Sequence, residues 1–177
     1  RKANCYIVSE PGGYSFSLYK GNSTEYFTAT SAKIVQTDNV LVKDVELTDD
    51  GRVIFVVDGT IPTSANTIIG VYDSDDGAPL WSWHIWIRPQ LSSFVSAGNL
   101  MECNLGASSS STEGLYYQWG RKDPIFRTNF TVTEGSVTDA NADPTVFYTG
   151  GISDGGWTPS TEGSATLPKS KYDPCPF

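Results

Sequence analysis

The hydrophobic pattern of this chain is clearest at residues 80–87, which read Leu-Trp-Ser-Trp-His-Ile-Trp-Ile. Large apolar residues alternate along this segment with a period of two, which predicts a β-strand. One side of the strand consists of Trp81, Trp83, Ile85 and Ile87. Because Leu80 and Trp86 add bulk to the other side, we expect both faces to be covered, as in the centre of a β-sandwich.

Similar short patterns recur through the first half of the chain. They predict further strands at residues 4–8, 14–19, 32–36, 40–47, 52–57 and 66–72. The side chains expected to face the core include Tyr14, Phe16 and Leu18 in one strand, and Leu41, Val45 and Leu47 in another. Turn sequences such as Thr48-Asp49-Asp50-Gly51 separate the strands. Residues 1–90 are therefore predicted to form an antiparallel β-sandwich.

The composition changes after Pro89. A serine run at residues 108–112 predicts a flexible surface loop, and an aromatic segment follows at residues 114–124. Residues 133–168 are rich in Gly, Ser, Thr, Asp and Pro, and such a segment cannot build a core of its own. We expect residues 91–177 to form a loop-rich region that packs on the sandwich, in an all-β protein.

Charge narrows the classes of function. The chain has 177 residues, with 20 acidic and 12 basic side chains and a net charge of -8. This balance argues against nucleic-acid binding, which needs a basic surface, and against docking on anionic lipid. No apolar run approaches the roughly 20 residues of a membrane helix, so no direct membrane span is predicted. The chain starts without a signal peptide, and we expect that an export signal has been removed.

The candidate chemistry is sparse. His84 is the only histidine, and no metal-ligand pattern or nucleophile stands near it in the sequence. We interpret His84 as a buried structural residue and expect no metal, no cofactor and no catalysis. The acidic segment at residues 73–77 lacks the spacing and distal glutamate of an EF-hand, and we interpret it as a turn. Nothing points to the facing carboxylate pair of a glycosidase.

Aromatic residues are the best candidates for ligand binding. The candidate residues are Tyr116, Tyr117, Trp119, Arg121 and Trp157. Flat rings with polar rims can stack on sugars, although core packing is the interpretation we favour for the aromatic block. For the segment Arg121-Lys122-Asp123 we favour a surface ion pair over a clamp that holds a substrate.

Five blocks of sequence, taken in order, resemble a known family. They lie at residues 3–8, 80–86, 104–107, 114–124 and 173–176. Together they resemble the fimbrillin-like surface proteins of Bacteroidota, and the second half looks like the Fibrobacter succinogenes major paralogous domain. That domain is similar to folds related to C-type lectins. Family members continue beyond the last block, so the resemblance implies that this chain carries a truncated lectin-like region.

The resemblance implies an exported protein on the bacterial outer-membrane surface. Such proteins are associated with pili and adhesion, so the expected function is structural or adhesive, without catalysis. The expected partners are other surface or pilus subunits. A carbohydrate-binding module that uses aromatic platforms is the alternative, with glycans as partners, and a glycan-acting enzyme is a third hypothesis.

Three cysteines are an odd number, so one disulfide and one thiol is the simplest oxidised outcome. Cys5 and Cys175 lie in blocks shared with the family, whereas Cys103 stands where the family usually has Arg. The resemblance therefore implies a Cys5–Cys175 disulfide and a Cys103 thiol. The competing pairing joins Cys103 to Cys175.

Overall fold

The computed structural model describes residues 2–90, 101–126, 131–149 and 170–176. Within these residues the chain forms eleven strands and one short helix, which confirms the all-β prediction. The elements are β1 (Cys5–Val8), β2 (Gly12–Ser17), β3 (Ser31–Thr37), β4 (Val42–Leu47), β5 (Arg52–Val57), β6 (Ala65–Tyr72), β7 (Trp81–Ile87), β8 (Tyr116–Tyr117), β9 (Pro124–Ile125), β10 (Thr131–Glu134), α1 (Val137–Ala142) and β11 (Val146–Thr149).

Two sheets make the sandwich. One has four strands in the order β1-β7-β6-β3, and the other has three in the order β2-β5-β4. Buried side chains of both sheets belong to one hydrophobic core. The pairing of β1 with β7 is parallel, which differs from the purely antiparallel sandwich that the sequence predicted. Two small strand pairs follow in the second half of the chain. The pair β8-β9 is antiparallel, and the pair β10-β11 is parallel.

The tryptophan strand β7 lies at the centre of this arrangement. Its seven residues are all buried, as the alternation predicted. Trp83 packs into the core between the sheets, with its ring centroid 4.8 Å from that of Phe16 and 6.2 Å from that of Phe27. The other face of β7 is covered by the second half of the chain, where Trp86 packs with Cys103 and Ala107. Strand β7 is therefore covered on both faces.

Strand β4 departs from its predicted pattern. The strand starts at Val42, and Val42 is its buried residue. Leu41, Val45 and Leu47, which were expected to face the core, are only partly buried at its edge. The register shifts between Lys43 and Glu46, and Asp44 adopts a positive φ of 51°. Such a bulge inserts extra residues into an edge strand, which breaks the simple alternation.

The helix α1 was not predicted from the sequence, because it lies inside the Gly/Ser/Thr-rich segment. Its N-terminus is capped by Ser136, whose side chain accepts a hydrogen bond from the backbone of Asp139. The carboxylate of Asp139 in turn accepts from the backbone N–H of Ser136, which completes a capping box. In the described part of the chain no helix is long and apolar enough to cross a membrane.

Candidate ligand-binding groove

An open groove of about 750 Å³ lies beside β8, in the region that covers the polar face of β7. Its walls include Met101, Glu102, Cys103, Asn104, Leu105, Ser110, Glu113, Tyr116, Tyr117 and Pro174. Tyr116 is 41% exposed at the groove, and Trp119 is 61% exposed on the turn that follows β8. Two of the sequence-predicted aromatic residues are thus at the surface, close to each other along the chain.

The wall of the groove is a loop closed by its own backbone. The N–H of Leu115 donates to the carbonyl of Leu105 at 2.9 Å, which brings the two ends of residues 105–115 together. Gly114 permits this contact, because a Cβ at that position would collide with the Leu105 carbonyl. The serine run inside the loop is tied by hydrogen bonds between Ser109 and Thr112. The groove is therefore shaped by local turns.

Two carboxylates line the groove, and their surroundings differ. Glu102 forms an ion pair with Arg88 at 3.0 Å, and the same guanidinium lies 2.7 Å from the Cys103 sulfur. Glu113 is exposed, and one of its oxygens lies 3.4 Å from the hydroxyl of Tyr116. Carboxylate and amide oxygens beside an aromatic ring are the groups that orient a polyhydroxylated ligand.

The floor of the groove leads into a buried hydrogen-bond chain. The hydroxyl of Tyr117 donates to His84 Nδ1 at 3.2 Å, and His84 Nε2–H donates to Asn66 Oδ1 at 3.0 Å. The Asn66 amide nitrogen donates to the carboxylate of Asp38 at 3.0 Å, which fixes the amide orientation and hence the histidine tautomer. These hydrogen bonds form a continuous series from the exposed carboxylate of Asp38 to Tyr117 in the groove.

Cys5 joins the same cluster. Its sulfur lies 3.4 Å from His84 Nδ1, because the parallel register of β1 and β7 sets Cys5 opposite His84. A thiol, an imidazole and an amide in this order are also the residue types of a cysteine-protease triad. Here Cys5, His84 and Asn66 are all buried.

Burial also decides the protonation of this cluster. It lowers the pKa of His84 to about 3, and it raises the pKa of Tyr117 well above its usual value. Both groups are therefore neutral over the physiological range. His84 is the buried, hydrogen-bonded residue that the sequence predicted, but its partners Cys5 and Asn66 were missed because they are remote in sequence.

Arg121 lies inside the protein. Its guanidinium donates to the carbonyls of Ala140 and Val146, both at 2.7 Å, and so attaches α1 and β11 to the β8-β9 turn. The prediction of a surface ion pair in this segment is wrong. Lys122 and Asp123 do form an ion pair, at 2.5 Å, but both side chains are buried. Ser82 of β7 hydrogen-bonds to both charged groups. Trp157 lies outside the described residues.

The acidic turn at residues 73–77 is exposed and closed by a hydrogen bond from the Gly77 N–H to the Ser74 carbonyl. Over the described ranges, no group of three or more His, Cys, Asp or Glu residues could hold a metal ion.

The segment 170–176 docks beside β1. Asn4 donates to the carbonyls of Lys171 at 2.6 Å and Asp173 at 2.9 Å. Cys5 directly follows Asn4 in the sequence, and Cys175 lies two positions after Asp173. The geometry therefore brings the two shared cysteines to one neighbourhood, and their pairing stays a prediction.

Comparison with known proteins gave no relative: no family model, no curated protein and no solved structure matches this chain. The family resemblance therefore rests on the sequence blocks alone.

Proposed function

We propose that this chain is a non-catalytic adhesion module of the bacterial cell surface, and that the groove beside β8 is its contact surface. The observation that carries this proposal is the exposure of Tyr116 in an open groove, with the exposed Trp119 three positions further along the chain. Tyr117, in the same groove, is bonded to His84 of the buried strand β7. Exposed aromatic rings on a rigid support favour binding, because little conformational entropy is lost when they are covered.

The buried cluster beneath the groove supports a non-catalytic role. A general base must reach the proton that it removes, and its pKa must lie near the working pH. His84 is buried and its pKa is lowered to about 3. The Ser82, Lys122 and Asp123 cluster is buried as well, and Lys122 is paired with Asp123 at 2.5 Å. These groups are best explained as supports for the groove.

Attachment of coated particles tests adhesion directly. Beads that carry the protein are allowed to settle on a glycoprotein-coated surface, and the flow needed to detach them is measured. We expect the Tyr116→Ala/Trp119→Ala double variant to detach at much lower flow than the parent. Tyr26→Ala is the matched control, because Tyr26 is a tyrosine that is 47% exposed and lies outside the groove. Equal attachment of the double variant and the parent would contradict the proposal.

The second candidate is a carbohydrate-binding module, and it is favoured by the composition of the groove wall. Tyr116 offers a ring face, while Glu113 and Asn104 offer acceptors for sugar hydroxyls. A glycan array separates the two candidates. Binding of defined oligosaccharides that is lost in the double variant supports the module, whereas adhesion without glycan binding favours a protein partner such as another surface or pilus subunit.

A further inference from the structure

A second open pocket, smaller than the groove, lies on the outer face of the three-stranded sheet. It has a volume of about 380 Å³, and its lining includes Gly13 of β2, Asp44 and Glu46 of β4, and Ile54 and Val56 of β5. None of the lining residues belongs to the groove. The pocket is therefore a separate surface, on the sheet that does not contain β7.

The floor of this pocket is apolar because of the alternation in β5. Every second residue of β5 is buried in the core between the sheets. Ile54 and Val56 lie between these residues, so they point to the opposite face, where each is half-buried. Such a floor can pack against the aliphatic stem of a long side chain.

Gly13 leaves space beside this floor. It lies opposite Val56 in the register of β2 and β5. A Cβ at Gly13 would meet no atom within 4 Å, and the φ of Gly13 lies outside the left-handed region. Neither packing nor backbone conformation requires a glycine here, although glycine weakens a strand. A glycine inside a strand often marks a place where a ligand or another chain approaches closely.

The rim of the pocket is acidic. Asp44 and Glu46 are exposed, and in the described part of the chain neither carboxylate forms an ion pair or a side-chain hydrogen bond. The neighbouring cations bind elsewhere, because Lys43 pairs with Asp58 at 2.7 Å and Arg52 donates to serine hydroxyls of β2. Three carboxylates and two cations leave one negative charge here, in a chain whose net charge is -8. The pocket therefore favours a cationic group.

We propose that this pocket receives an arginine side chain of a partner protein. The aliphatic stem lies along Ile54 and Val56 in the space beside Gly13, and the guanidinium contacts Asp44 and Glu46. Arginine suits the rim because its planar fork of donors can meet more than one carboxylate. The open sheet face suits a protein better than a small molecule, which needs an enclosing cleft. The site goes beyond the groove of the proposed function, and either can fail without the other.

The test is a titration of the full chain with a short glycine peptide that carries one central arginine, followed by NMR of the methyl signals of Ile54 and Val56. Ile54→Val assigns the Ile54 signal. We expect the arginine peptide to shift the signals of both residues. The same peptide with citrulline, which has the shape of arginine without its charge, should shift them far less. Free arginine should bind more weakly than the peptide, since its own α-carboxylate meets the acidic rim.

Separate variants test the charge and the space. Asp44→Asn should weaken binding of the arginine peptide by roughly two- to fivefold, as expected for one exposed charge. Asparagine accepts the positive φ of this position, so the fold is retained. Asp76→Asn is the matched control, because Asp76 is an exposed aspartate in the turn between β6 and β7, outside the pocket. Gly13→Val should abolish the shifts by filling the pocket, while its melting temperature matches or exceeds that of the parent, since valine favours strands.

Unshifted methyl signals with the arginine peptide would overturn the proposal, as would equal binding of the citrulline peptide or of free arginine. Equal losses in Asp44→Asn and Asp76→Asn would also overturn it, because the effect would then come from net charge alone. Gly13→Val contradicts the proposal if it binds as tightly as the parent, or if it melts far below the parent. The Tyr116→Ala/Trp119→Ala variant should keep full affinity for the arginine peptide, which separates this site from the groove.

Discussion

The two faces of β7 are built on different principles. On one face, Trp83 and its neighbours pack against the three-stranded sheet, and this core is apolar throughout. On the other face, Ser82 and His84 make hydrogen bonds to residues of the second half of the chain. The apolar face needs only side chains of the right size, whereas the polar face needs specific partners, since an unpaired buried polar group is costly.

This contrast bears on function, because the polar face supports the groove. Tyr117 forms part of the groove wall and is fixed from below by His84, and Asp123 anchors the turn after β8 to Ser82. The first half of the chain thus supplies a rigid base, and the second half supplies the surface. Substitutions on the apolar face should therefore affect stability, whereas substitutions on the polar face should also affect the groove.

The largest effect is expected from the cysteines. A Cys5–Cys175 disulfide would close a loop of nearly the whole chain, which contributes roughly 4 to 5 kcal/mol to the free energy of unfolding in the chain-entropy model. Peptide mapping without reduction should recover the two cysteines in one linked peptide. Reduction should lower the stability and release the segment 170–176 from Asn4. Recovery of a peptide linked through Cys103, or of three thiols, would contradict this pairing.

Trp83→Ala tests the apolar face. We expect a loss of roughly 3 to 5 kcal/mol in chemical denaturation, because a large buried side chain leaves a cavity. Within the described residues the Trp83 indole N–H has no hydrogen-bond partner, so its contribution is apolar and Trp83→Phe should keep most of the stability. Trp119→Ala is the control, since Trp119 is exposed. Equal losses in the two alanine variants would refute the contrast between core and surface.

The apolar face could be predicted from the sequence because period two is a local property. Strand β7 and the hairpin of β4 and β5 follow from alternation and turn residues within short segments. The polar face could not be predicted in this way. The contact of Cys5 with His84 depends on the parallel register of β1 and β7, and that register joins residues 79 positions apart. The bulge at Asp44 and the cap of α1 were missed because turn geometry overrides composition.

The acid sensitivity of the fold tests the polar face. The pKa of His84 is lowered to about 3 in the folded state, below its usual 6.5. The unfolded chain therefore binds a proton first, and stability is lost as the pH falls from about 6.5 toward 3. The loss from this one group is about 2 kcal/mol at pH 5. His84→Gln removes the titration, so its denaturation midpoint should change less than the parent's between about pH 8 and about pH 5.

Ser82→Ala should give the smallest of these effects. The hydroxyl of Ser82 donates to Asp123 at 2.8 Å and accepts from Lys122 at 2.5 Å, so its removal weakens a buried ion pair without opening a large cavity. The ion pair between Lys122 and Asp123 remains in this variant. We therefore expect the free energy of unfolding to fall by about 1 kcal/mol in chemical denaturation, the net value of a typical hydrogen bond. Ser15→Ala is the control, since Ser15 is exposed on β2 and bonds to Arg52. If the Ser82 hydroxyl positions the turn after β8, Ser82→Ala should also reduce attachment of coated beads, whereas Ser15→Ala should leave attachment unchanged. A stability loss without any change in attachment would show that the polar face stabilises the fold but does not shape the groove.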